Sequence, residues 1–153
     1  MRAEDFFHSG FVVDDFEGTL ERLTGLFGYR WGEEIRIEST FTLADNQPAT
    51  VESAFCYSLG EPRVEVLRTI PGTVWEPADS GIHHLGYWSD DVQLDSAALV
   101  AAGYEFELCG PGGHDEALFA YHRHANGPRI ELVSRDVAPM FEQYWADGRN
   151  PFG

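Results

Sequence analysis

Lysine is absent from this 153-residue chain: all ten basic residues are arginines, against 26 acidic ones, for a formal charge of -16. A field of that sign repels phosphate backbones and anionic headgroups, so no nucleic acid and no membrane surface is expected as a partner. Cysteine is nearly absent too. The only two, Cys56 and Cys109, match no zinc spacing and read as buried thiols rather than a disulfide. No run approaches the roughly 18 uninterrupted apolar residues of a membrane helix. The opening MRAEDFFHSG lacks the apolar stretch and small-residue cleavage site of a signal peptide, so a cytoplasmic location is expected.

What the chain does have is an internal duplication. His8, Gly10, Asp14 and Asp15 align with His84, Gly86, Asp90 and Asp91, and Gly28-Tyr29 align with Gly103-Tyr104. Further on, Pro62-Arg63-Val64-Glu65 matches Pro128-Arg129-Ile130-Glu131. Each half therefore carries a histidine near its start and a glutamate near its end. A hydrophobic content of 43% suits one folded body, and a chain of this size buries one core or two small modules that share one.

Residues 6–13 are apolar and β-prone, which predicts a strand. Asp14 and Asp15 follow where a helix N-cap belongs; Phe16, Leu20, Leu23 and Phe27 recur at helical spacing, and Gly28 stops the helix. The second copy repeats the plan, with a strand over 83–89, Asp91 as cap, a helix over 92–102 and Gly103 as stop. Strands are predicted at 29–43, 51–58 and 63–70, then at 104–109, 117–124 and 129–134. The fold class is thus α+β: two tandem βαβββ modules, 5–72 and 81–135, within a single domain over 1–153. A C-terminal helix is predicted over 136–146; its stripe of Val137, Met140, Phe141, Tyr144 and Trp145 packs on its own chain or docks a second subunit. The stretch 38–51 has no counterpart in the second half and reads as a long hairpin tip or a plain insertion.

Asn126-Gly127 is a strong hairpin signal. As a two-residue turn it pairs His122 with Glu131 on one face of the sheet; a three-residue loop puts Tyr121 and Arg123 there instead. On the first register His122 is a candidate to contact substrate or relay a proton, although an exposed strand histidine is the plainer reading. His124 has less support, as does His114 in the glycine-rich loop PGGHDE.

Two neutral imidazoles and two carboxylates suit a divalent transition metal, with positions left for two waters or a bidentate substrate. Taken singly, each of His8, His84, Glu65 and Glu131 could be a hydrogen-bonded core histidine or a glutamate paired with an arginine. If a pseudo-twofold axis relates the modules, all four can converge. Two buried, unpaired carboxylates would otherwise cost several kcal/mol.

The segments HSGFVVDD, GIHHLGYWSDD, PRVEVLR and GPRIELVSR resemble the vicinal oxygen chelate superfamily, the glyoxalase, bleomycin-resistance and extradiol-dioxygenase group, over nearly the whole chain. The resemblance implies a cupped mixed sheet around one divalent ion (Ni, Co, Mn, Fe or Zn) held by His8, Glu65, His84 and Glu131. His83, one position earlier, is expected on the opposite face as a structural residue. A set of two His and two Glu is most similar to that of the glyoxalase I and methylmalonyl-CoA epimerase branch. It implies an isomerase, epimerase or lyase in which Glu131 moves a proton beside a carbonyl and Glu65 is the opposing ligand and second acid/base. A ring-cleaving dioxygenase is the alternative, though iron dioxygenases usually carry one carboxylate; a non-catalytic binding protein is the other. A small-molecule substrate and a homodimer are expected. Phe41, Phe55, Tyr57, Trp75, Trp88 and Tyr121 fit an apolar or aromatic substrate or an ordinary core. The acidity argues mildly against glutathione or CoA conjugates unless Arg30, Arg36, Arg68 or Arg123 supplies a local cationic patch.

Overall fold

The computed structural model describes all residues, Met1–Gly153. Strand β1 (Phe6–Val13) leads into helix α1 (Phe16–Phe27) and then β2 (Ile35–Leu43), β3 (Pro48–Tyr57) and β4 (Val64–Arg68). The second half repeats that order with β5 (His84–Ser89), α2 (Val92–Ala101), β6 (Glu105–Gly110), β7 (Phe119–Arg123) and β8 (Arg129–Ser134). Helix α3 (Ala138–Asp147) ends the chain's regular structure. Both long turns into helix are capped as their aspartates predict. The Asp15 carboxylate accepts from Gly18 N and that of Asp91 from Leu94 N. Gly28 closes α1 in the left-handed region that glycine enters without penalty.

The sheet is mixed and closes on itself in the order β1-β4-β3-β2-β6-β7-β8-β5. Within each half the first strand runs parallel to the last: β1 beside β4 and β5 beside β8. Two antiparallel seams join the halves, β1 with β5 and β2 with β6, so equivalent strands meet at both. The barrel is thus completed within one chain.

Alternation along the strands splits the apolar residues into two populations. Val12, Phe41, Leu67, Trp75, Leu108 and Tyr121 form the barrel's interior cluster. On the outer face, α1 covers Cys56, Val64 and Val66, while α2 covers Cys109, Ala120 and Leu132. Both thiols are free and buried. The α3 stripe packs on its own barrel: Phe141 and Tyr144 are buried against Ile35 and Tyr57, and the Arg63 guanidinium sits 3.8 Å over the Trp145 ring.

Two expectations change. The strand predicted from residue 29 begins only at Ile35, with an isolated bridge between Trp31 and Ser58 before it. The backbone of this stretch is engaged elsewhere: Glu33 N donates to Gly148 O, and the Tyr144 hydroxyl donates to Glu33 O at 2.8 Å. The 38–51 stretch is a hairpin, the first of its two expected readings, whose β2 arm pairs through Thr42 and Leu43 with Cys109 and Leu108 and so closes the cupped sheet into a barrel.

The second change is the register after β7. Tyr121, not His122, faces Glu131, and His122 faces Ile130. A type I′ turn needs positive φ at both central residues; Gly127 has it, but Asn126 does not. Asn126 N donates instead to His124 Nδ1 at 3.1 Å, and the connection spans residues 124–128. That odd length reverses the parity, so His122 is corrected from the substrate side to the outer face. There it is fully buried, 2.7 Å from the Ser96 hydroxyl of α2. Burial pushes its pKa down from 6.5 to about 4. Because the unfolded chain takes up the proton first, stability should fall as pH drops from about 6.5 to about 4. His122→Gln should flatten that limb in urea titrations across the same range.

Candidate metal centre

The site is built from two rows of residues that run across the sheet. In one, Tyr57 lies opposite Glu65, Glu65 beside Gly10, and Gly10 opposite His84. In the other, Tyr121 lies opposite Glu131, Glu131 beside Gly86, and Gly86 opposite His8. Each row thus pairs a glutamate of one half with a histidine of the other across a glycine. The glycines are required by close approach: a Cβ on Gly10 would overlap the His84 ring, and one on Gly86 the His8 ring. This is the physical content of the repeated His-x-Gly.

The four side chains meet at one point. His8 Nε2 and His84 Nε2 are 2.9 Å apart. His84 Nε2 lies 3.0 Å from Glu65 Oε2, His8 Nε2 lies 3.2 Å from Glu131 Oε2, and both crossed contacts are 3.5 Å. One donor atom from each residue falls within 4.8 Å of all the others. Both imidazoles are fully buried, and Glu65 and Glu131 are 4% and 7% exposed.

The donor set could hold a divalent ion. Glu65 Oε2 and Glu131 Oε2 are buried yet make no directed hydrogen bond. Ligand bonds of about 2.0–2.2 Å meeting near right angles place neighbouring donors about 3 Å apart, the spacing seen here. Charge agrees as well, since two carboxylates, two neutral imidazoles and a dication sum to zero. The same two carboxylates favour the protonated form of the His8 ring. Burial opposes that charge, but contacts with Glu131 and Glu65 outweigh it and raise the pKa to about 9. Burial likewise opposes ionisation of Glu65, but His8 and His84 hold its carboxyl well below the usual range.

His83 was expected to point away from this centre. It is buried, and its Nδ1 lies 2.9 Å from His84 Nδ1 while its Nε2 lies 2.6 Å from Val74 O. Burial and the neighbouring His84 push its pKa down to about 3, which keeps it neutral. The doublet His83-His84 was the available signal, and strict strand alternation obscured it.

Above the four donors opens a cavity of about 210 Å³. Glu65 and Glu131 reach its floor; Phe41, Phe55, Tyr57, Trp75 and Tyr121 form much of its wall, with Met140 and Phe141 of the C-terminal helix closing one side. Burial, then the Glu65 and Glu131 charges, push the Tyr57 and Tyr121 phenols far above their ordinary pKa, so both remain hydroxyl donors. Trp88 does not line the cavity; it stacks on Phe7 at 3.9 Å. No arginine lines it either. Arg36, Arg68 and Arg123 are taken by Glu34, Glu17 and Glu105, and Arg30 borders a separate cleft beside α1. His114 bonds Asn46 at 3.1 Å and His124 bonds its own loop, both away from the four donors.

The profile of the Glyoxalase/Bleomycin resistance protein/Dioxygenase superfamily matches residues 7–121. The chain belongs to that superfamily. Methylmalonyl-CoA epimerase in complex with methylmalonyl-CoA and NH4+ superimposes with a TM-score of 0.56 at 16% identity, over 85% of this chain and 93% of that one. The methylmalonyl-CoA epimerase from Mycobacterium tuberculosis gives a TM-score of 0.53 at 16% identity, over 88% and 91%. A hypothetical protein from Bacillus halodurans C-125 gives 0.52 at 16%, over 85% and 93%. Likeness at this identity is one of fold. No curated protein matches the chain.

In this superfamily member the two glycines leave no room for a methyl group. Gly86→Ala should displace the His8 ring, with a stability loss of about 1–3 kcal/mol and a marked loss of affinity for divalent ions in chelator competition. The His8 proton makes a second prediction. A pKa raised from 6.5 to about 9 stabilises the metal-free protein fully below 6.5 and loses that contribution as pH rises through about 9. Across that window an ion should bind progressively more tightly and release close to one proton, read by calorimetry in buffers of different ionisation enthalpy.

Proposed function

We propose that this chain is a divalent-metal-dependent isomerase, epimerase or lyase that moves a proton next to a carbonyl of a small, apolar or aromatic-bearing substrate. The observation that carries the reading is the convergence of His8, Glu65, His84 and Glu131 beneath an apolar cavity whose floor is reached by the two carboxylates. An ion held there would supply Lewis acidity to the substrate carbonyl.

The protein's own residues do the rest. Glu131, which reaches the cavity, is the base that removes or returns the proton, and Glu65 stands opposite as a second acid/base. The buried Tyr57 and Tyr121 hydroxyls beside them offer donors to charge that develops on substrate oxygen. The aromatic walls exclude water, which strengthens each of these electrostatic contacts. One of the solved structures above is a complex with methylmalonyl-CoA, yet the cavity of this chain offers no cation to a phosphate or carboxylate tail. That favours an uncharged substrate over a CoA or glutathione conjugate.

The test is solvent-deuterium exchange into a panel of 2-oxo, thiohemiacetal and acyl-thioester compounds, run beside elemental analysis. Exchange should appear with an uncharged aromatic or apolar member and disappear with chelator. Glu131→Gln should lower it by at least about 100-fold while ion is still retained. Oxygen uptake with a catechol on iron-loaded protein would select a ring-cleaving oxygenase instead. Ligand binding that survives complete metal removal would select a binding protein.

A further inference from the structure

The two ligand histidines are equivalent by duplication, but their far sides are not. His84 Nδ1 meets His83 Nδ1 at 2.9 Å, whereas His8 Nδ1 is buried with no hydrogen-bond partner. We infer that His83 is a positioning residue that locks His84 in the tautomer with its Nε2 lone pair aimed at the ion, while His8 is left without such a lock. The inference rests on the metal reading proposed above.

The chain of donors and acceptors allows one sensible solution. Val74 O only accepts, so His83 Nε2, 2.6 Å away, carries a hydrogen. A single proton then lies between the two Nδ1 atoms. If it belonged to His83, that ring would be a fully buried imidazolium whose ring nitrogens meet only His84 and the Val74 carbonyl; such a charge is costly. It therefore belongs to His84 Nδ1, and in the neutral ring that leaves Nε2 as the atom that can ligate an ion. The anchor is itself held in place. Ile70 N donates to Trp75 O, the Thr73 hydroxyl to Ile70 O, and Trp75 N to the Thr73 hydroxyl, which closes a tight turn around the Val74 carbonyl. The link between the halves thus acts as an outer support for the second-half ligand. Supports of this kind fix both ring orientation and basicity in metal sites.

Two substitutions separate this role from packing. The amide oxygen of His83→Asn takes the place of Nδ1 and still accepts from His84. The amide nitrogen of His83→Gln takes the place of Nε2, keeps the Val74 bond and withdraws the acceptor. In the full-length, metal-free protein labelled with ¹⁵N-histidine, long-range ¹H–¹⁵N spectra should show His84 protonated at Nδ1 in the wild type and in His83→Asn. In His83→Gln it should become a mixture of tautomers. Affinity for Mn²⁺ by chelator competition should fall about 10–100-fold in His83→Gln and stay close to wild type in His83→Asn. A wild-type His84 that carries hydrogen at Nε2 with Nδ1 bare overturns the inference, as does equal loss of affinity in both variants. If the wild type binds no divalent ion the metal reading fails, and the metal-free spectra still decide whether His83 sets the tautomer.

Discussion

The structure turns on two imidazole rings lying over each other's glycines. Across the β1–β5 seam, His8 occupies the space that a side chain on Gly86 would fill, and His84 does the same to Gly10. Nothing larger than hydrogen at either glycine is compatible with the other ring. The parallel pairing of β1 with β4 and β5 with β8 then delivers Glu65 and Glu131 to those glycines. A carboxylate of one half so reaches a histidine of the other. Neither half could make this arrangement alone, which ties the chemistry of the site to the docking of the modules.

Electrostatics and packing reinforce each other at that point. Two carboxylates in a nearly dry pocket are strongly unfavourable unless counter-charge is present. The pair in turn draws the His8 ring toward its protonated form and raises its pKa far above the usual range. The same apolar walls that make charge expensive make each remaining polar contact strong. Eight of the ten arginines have acidic partners elsewhere, so the acidic surface is laced with local pairs while the cavity stays free of cations.

Much of this was legible in the sequence because duplication makes weak signals add. One His-x-Gly and one Pro-Arg-x-Glu are unremarkable; two of each in matching positions define four side chains and their symmetry. The caps at Asp15 and Asp91 were legible because capping is local chemistry between residues three apart. What escaped depended on distant partners or on parity. The placement of His122 hung on whether the loop after β7 had an even or odd number of residues, and the connection over 124–128 is odd. The late start of β2 was set by the C-terminal segment more than a hundred residues away. The role of His83 depends on a carbonyl in the linker, which no motif announces.

The duplication also separates two tasks. At the floor, equivalent residues from both halves converge, and symmetry is useful because an ion accepts donors from any side. The walls are another matter. The first half's longer β2–β3 hairpin brings Ser39 and Phe41 into the cavity and pairs with β6, where Gly110 leaves room for the Phe41 ring. The second half has no such extension, and its side is bounded by the loop that carries Pro111 and Leu118. Helix α3, which has no duplicate, adds Met140 and Phe141. The four-donor cluster therefore rests on what the halves share, and the shape of the cavity on what they do not. Divergence at Phe41, Met140 or Phe141 can reshape the cavity without moving any of the four donors.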